Sequence, residues 1–289
     1  MNIYDCDIQD VVDTLETVTQ VKTLIDLLQS TTLCTYISKQ TILKMYQDVW
    51  IKTLKKKIND YGINADKLFS LILRYKMLIT GSILLQVITG QSYESFDIDI
   101  IANTINDEII KDFEKLTNSK MQCLNKDVDQ KYKNIGAFEV YDFYVGDQLV
   151  QKKIQLIVPH LKKGVDYINN FDLDICKNYC DFSKIVVGNY DNICNNIAVY
   201  SDNNSSFQNF LKRIIKYSNR GFDIHISTNM IKKLRNVTCS SKVLKDLKNK
   251  NIYDGKKTDQ YEIFCEIMYG NTHDILHSDK DYVMICDEK

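Results

Sequence analysis

Met77-Leu78-Ile79-Thr80-Gly81-Ser82-Ile83-Leu84-Leu85-Gln86-Val87-Ile88 is followed, past a Gly90-Gln91-Ser92 turn, by Phe96-Asp97-Ile98-Asp99-Ile100-Ile101. The apolar run Met77–Thr80 predicts a buried strand, broken by Gly81-Ser82, with a short helix over 83–88 behind it. The second run predicts another strand, this one carrying two acids. A strand that enters a helix through glycine is a place where an anion can approach the backbone closely. The helix start directs free N–H groups and the positive end of the dipole at that anion. The Ser82 hydroxyl adds one more donor.

Side chains at i and i+2 of a strand share a face, about 6.5–7 Å apart along the strand. Asp97 and Asp99 are therefore expected to present two carboxylates together. Hard oxygen donors on a rigid strand suit Mg2+, which keeps waters and substrate phosphates as its other ligands. Two such ions about 3.5–4 Å apart clamp the attacking and leaving oxygens of a displacement.

Outward from this unit, helical periodicity covers 8–30 and again Ser38 to Asp60, ended at Gly62. Past Asp99 a helix is expected over 106–116. A hairpin is expected from Phe138–Val145 and Lys152–Val158. Phe171-Asp172-Leu173-Asp174-Ile175-Cys176 reads as one more strand. Beyond Asp181 the signals turn helical, clearest over 207–217, with weaker segments at 230–234, 243–247 and 261–268. The expected fold class is α/β (α+β): a small mixed sheet flanked by helical regions at both ends. Three regions result: a helical 1–65, a core at 66–182, and a mainly helical 183–289.

Composition narrows the function classes. Hydrophobic residues at 44% and charged residues at 26% belong to a globular chain rather than a disordered one. A net charge of −1 gives no global pull toward nucleic acid or anionic lipid. No apolar run reaches the ~18–20 residues that span a bilayer, so no membrane partner is expected. The opening Met1-Asn2-Ile3-Tyr4-Asp5 lacks the basic and apolar regions of a secretory signal. Nine scattered cysteines, an odd number, fit reduced thiols in a cytoplasmic setting. His273 and His277 share a helical face, but no H-E-x-x-H accompanies them.

The order Ile79-Thr80-Gly81-Ser82, fourteen residues, then Asp97-Ile98-Asp99-Ile100 resembles the signature h-G-S-x(n)-D-h-D-h of the polymerase-beta-like nucleotidyltransferase superfamily. The resemblance implies that Gly81 and Ser82 hold the phosphates of a nucleoside triphosphate. It implies that Asp97 and Asp99 bind Mg2+ and carry catalysis. It also implies a third acid on a neighbouring strand, and in Lys153-Ile154-Gln155-Leu156-Ile157-Val158 that position holds Gln155. An amide neither takes a proton from a hydroxyl nor adds charge for a second metal. Asp174, or Asp172 beside it, is the candidate substitute metal ligand, with Glu139 and Asp142 behind them.

Gln155, the Phe171–Cys176 segment and Arg213-Ile214-Ile215-Lys216-Tyr217-Ser218-Asn219-Arg220-Gly221-Phe222 together resemble uncharacterised nucleotidyltransferase-like proteins of large DNA viruses of amoebae. That likeness covers about residues 70–222 and would place the protein in host cytoplasm. Arg213, Lys216 and Arg220 recur at helical spacing. They are either nucleotide-phosphate contacts or a solvated face. Two functions follow: Mg2+-dependent transfer of a nucleotidyl group from an NTP to a hydroxyl on a protein, RNA or small molecule, or an inactive scaffold that binds a nucleotide or protein partner. A structural virion component is a third.

Overall fold

The structure, a computed structural model, describes residues 39–93, 97–124, 137–145, 152–160, 163–201, 206–269 and 282–285. The helix expected over 8–30 and the His273/His277 pair lie outside these residues. The chain divides into two compact units. One holds the described residues up to Asn170 together with Cys176–Asn195, and the other holds Phe171–Ile175 with those from Asn196 onward.

In the first unit, helix α1 (Lys39–Asp60) sends Tyr46, Val49, Trp50, Leu54 and Ile58 inward at helical spacing, and all five are buried. Trp50 stacks on Tyr190 at 6.4 Å between ring centroids and meets Tyr46 edge-on at 5.9 Å. Helix α2 (Ala65–Tyr75) starts at Asn64, whose side chain accepts from the Lys67 N–H. Then come β1 (Leu78–Thr80), α3 (Ser82–Thr89), β2 (Ile98–Ile101) and α4 (Asp107–Thr117). The unit continues with β3 (Gln122–Leu124), β4 (Ala137–Val145), β5 (Lys152–Pro159) and α5 (Gly164–Asn169), and ends with β6 (Tyr179–Cys180), β7 (Ile185–Val186) and α6 (Tyr190–Cys194).

The seven strands form one small mixed sheet in the order β3-β4-β5-β2-β1-β6-β7. β2 and β5 run parallel, and the other neighbours are antiparallel. β5 is buried from Ile154 to Pro159, as expected of an apolar strand covered on both sides. On one face Ile98, Ile154 and Phe143 line up in register, and α4 covers them through Phe113, 5.6 Å from Phe143 between centroids. On the other face α5 comes so close that a β-carbon at Gly164 would lie 2.9 Å from Ile101 Cγ2. The mixed α/β class expected from the sequence is the one observed.

The second unit is built on β8 (Ile197–Tyr200), β9 (Asp223–Ser227) and β10 (Tyr282–Ile285), with β9 central, parallel to β8 and antiparallel to β10. Around them lie α7 (Phe207–Ser218), α8 (Thr228–Arg235), α9 (Ser241–Asn249) and α10 (Gln260–Tyr269). Tyr200, Phe210 and Phe264 make its aromatic core, with Phe210 4.8 Å from Tyr200 and 5.6 Å from Phe264.

One sequence expectation is corrected here. Residues 171–176 do not form a strand. Leu173 alone bridges to Tyr200, and Asp174–Cys176 coil into a 3-10 turn. The Asp174 carboxylate accepts both the N–H of its neighbour Ile175 and that of Val199, 25 residues on, at 2.8 Å, drawing the backbone away from a ladder. The stretch beyond Asp181 also carries strands among its helices. They are two to five residues long, too short for alternation to announce them.

Candidate active site

Strand register assembles the site. Thr80 on β1 lies opposite Asp99 on β2, Asp99 opposite Gln155 on β5, and Gln155 opposite Asp142 on β4. Cross-strand partners share a face, so four strands contribute one polar row to the middle of the sheet. Its members are largely enclosed: Thr80, Gln155 and Asp142 are all buried. Each has a partner to offset the cost of burial. The Thr80 hydroxyl donates to the Asn178 carbonyl at 2.7 Å. The Gln155 amide donates to Asp142 Oδ1 at 2.8 Å.

Gly81 and Ser82 stand where the sequence places them, at the turn from β1 into α3. Gly81 has φ +86 and ψ −165, a backbone conformation open to glycine and closed to other residues. The Asp99 carboxylate lies directly over it. A β-carbon on Gly81 would fall 3.1 Å from Asp99 Cγ and nearer still to Oδ2. Glycine is thus required here twice, by its torsion angles and by the acid packed against it. Ser82, buried, is the first residue of α3.

Asp97, one residue before β2, is the open member of the acidic pair, with 45% of its side chain exposed. Lys153, on the same face of β5 as Gln155, extends its ammonium between two carboxylates. Nζ is 3.4 Å from Asp142 Oδ2 and 3.7 Å from Asp97 Oδ2. Tyr61, at the end of α1, fixes the backbone beneath it. Its hydroxyl donates to the Lys153 carbonyl at 3.1 Å and accepts the Lys153 N–H at 2.7 Å. Burial, and then the charges of Asp97 and Asp99, push the Tyr61 hydroxyl up to about 12, although its backbone hydrogen bond at Lys153 acts the other way.

Sequence reasoning overlooked Lys153 and Tyr61. The signal for Lys153 was available: in a parallel pair that aligns Asp99 with Gln155, the residue two before Gln155 must lie beside Asp97. Tyr61 gives no such sign. Asp142, ranked low from the sequence, is brought into the polar row. Glu139 instead accepts the Tyr141 hydroxyl at 2.6 Å.

Asp97 and Asp99 offer hard oxygens suited to one divalent cation. Among the described residues no three His, Cys, Asp or Glu side chains gather as a metal-binding group. Two carboxylates could hold a cation only with water or phosphate oxygens as its other ligands.

The remaining predicted residues belong to the second unit. Asp174 is occupied with the two backbone N–H groups described above. Asp172, buried, pairs with Arg213 at 2.7 Å. Arg213, Lys216 and Arg220 all surround the Tyr217 ring, with cationic groups 5.7, 5.9 and 5.2 Å from its centroid. Arg213 and Lys216 lie on α7, and Arg220 lies in the turn just past its end.

No family model matches the chain, and no curated protein matches it. Solved structures do. The Thermotoga maritima CCA-adding enzyme complexed with tRNA-CCA matches at 13% identity and TM-score 0.47, over 73% of this chain and 53% of that one. A CCA-adding enzyme in complex with CTP matches at 14% identity and TM-score 0.42, over 64% and 42%. A tRNA-processing enzyme in an apo form matches at 10% identity and TM-score 0.45, over 78% and 60%. The chain spans about half the length of these structures. Among the described residues no helix is long and apolar enough to cross a membrane.

Proposed function

We propose that the corner formed by Gly81, Ser82, Asp97 and Asp99 binds the triphosphate of a nucleotide with Mg2+ and transfers its nucleotidyl group to a hydroxyl acceptor. The observation that carries this reading is the packing of the Asp99 carboxylate onto Gly81 at the start of α3. It brings an oxygen donor for a cation and a helix N-terminus for a phosphate to one point. Gly81 and Ser82 receive phosphate oxygens, and Asp97 and Asp99 hold the cation. Bound Mg2+ supplies charge neutralisation along the triphosphate. The acceptor oxygen forms the new bond to the α-phosphorus while the bond to pyrophosphate breaks, and the hydroxyl proton leaves to solvent water. The acceptor is a protein, an RNA or a small molecule.

A second reading is an inactive scaffold that binds a nucleotide or a protein partner. Its support is Gln155, which stands in register with Asp99 and offers an amide where the superfamily pattern expects an acid. Titration calorimetry of ATP, GTP, CTP and UTP with MgCl2 tests both. Metal-dependent binding that disappears in Asp97→Ala/Asp99→Ala is expected. Folded wild type that binds none of the four would exclude nucleotidyl transfer and leave only a scaffold for a protein partner. Binding without pyrophosphate release across a panel of acceptors would favour the scaffold.

A further inference from the structure

We propose that Lys153 is a built-in cation of this site, an ammonium tethered to β5 that takes the place of a second divalent ion. The proposal rests on the reading of Asp97 and Asp99 as cation ligands and deepens it, because it sets how many ions the site accepts. Both oxygens of Asp142 are already committed, Oδ1 to the Gln155 amide at 2.8 Å and Oδ2 to Lys153 Nζ at 3.4 Å. Donor N–H groups therefore face this acid from two sides. A divalent ion seeking Asp142 would displace an ammonium and meet an amide nitrogen, neither of which can act as its ligand.

Charge balance points the same way. Three carboxylates (Asp97, Asp99 and Asp142) and one ammonium come to neutrality with a single divalent cation. A second ion would leave the group doubly positive before any nucleotide arrived. Position reinforces the balance. Lys153 Nζ also lies 3.7 Å from Asp97 Oδ2, so it spans the gap from the open acid to the buried one, with 22% of its side chain exposed. The two Tyr61 hydrogen bonds hold its backbone, so the ammonium is positioned from below. An ion from solution must be recruited for each turnover, whereas this one is covalently retained.

Mn2+ counting decides the matter without nucleotide. Free Mn2+ would be followed by electron paramagnetic resonance as MnCl2 is added to the full chain. Wild type is expected to hold one ion, lost in Asp97→Ala/Asp99→Ala. Lys153→Gln, of similar reach and no charge, is expected to hold two. Gln155→Glu with Lys153 intact is expected to stay at one, because the ammonium still blocks the position. Lys153→Arg, which keeps the charge, also stays at one. Two ions in wild type, no gain in Lys153→Gln, or a gain in Gln155→Glu alone would each overturn the proposal. Because the count needs no nucleotide, a failure of NTP binding leaves it standing. NTP binding by a wild type that holds two ions would sink this inference and spare the proposed function.

Discussion

The Asp99 carboxylate rests on the bare α-carbon of Gly81, close enough that a single methyl group there would collide with it. Gly81→Ala is therefore expected to damage the site more than the fold. The positive φ alone costs on the order of 1–3 kcal/mol. The larger effect falls on Asp99, which must swing off its position, so Mn2+ and nucleotide binding should drop by at least tenfold. Urea melts beside Mn2+ titrations check this. Unchanged Mn2+ affinity in a folded Gly81→Ala protein would show that the contact has no functional weight.

Tyr61 and Tyr46 are both buried tyrosines on or just past α1, yet their hydroxyls differ. The Tyr61 hydroxyl bonds twice to the Lys153 backbone, while the buried Tyr46 hydroxyl has no hydrogen-bond partner among the described residues. Tyr61→Phe should destabilise by about 1–3 kcal/mol, because it strands two backbone groups. Tyr46→Phe should be neutral or stabilising. Denaturant midpoints of the two variants, measured side by side, test the contrast, and equal losses would refute it.

Alkaline pH should loosen the first unit. Burial pushes the Tyr46 and Tyr61 hydroxyls from 10.0 up to about 12. A hydroxyl that keeps its proton longer in the folded state contributes stability that is complete below pH 10. That contribution is lost as pH climbs from about 10 to about 12. Stability measured at pH 9, 10 and 11 should fall mostly over the last interval, with less fall in Tyr61→Phe. Tyrosinate absorbance should show these two residues ionising late.

Arg213 offers a test of a sequence expectation that the structure recasts. Its partner Asp172 is buried, so Arg213→Ala leaves a charge enclosed without its counter-ion. Arg213 is itself partly exposed, so the loss should be roughly 3 kcal/mol, the low end for breaking a buried pair. Arg213→Met with Asp172→Leu should recover much of it. If Arg213 contacts nucleotide phosphate, the double variant will regain stability without regaining NTP affinity. If its role is structural, both will return.

Local patterns made the central corner legible. A glycine breaking an apolar strand, and aspartates alternating with isoleucines, each lie within a few residues. What escaped was non-local. Lys153 meets Asp97 only because β5 lies parallel to β2 with Gln155 beside Asp99, and no periodicity reports which strands are neighbours. Tyr61 reaches Lys153 from the end of a helix whose pattern speaks only of core packing. The Phe171–Cys176 segment failed for a related reason. Its alternation is real, but the Asp174 carboxylate takes the N–H of its neighbour Ile175 and that of the distant Val199, and that outweighs the strand preference.

The polar row across four strands also acts as a key to the sheet's own assembly. A shift of β5 by one residue along β2 and β4 would face Asp99 and Asp142 with Ile154 or Leu156 instead of Gln155, and enclose an acid among isoleucines with no donor to meet it. A sheet this rich in interchangeable aliphatic side chains has many nearly equivalent ways to align, and the buried amide–carboxylate contact separates one of them from the rest. Gln155 therefore serves the alignment of the strands whether or not the site transfers a nucleotide.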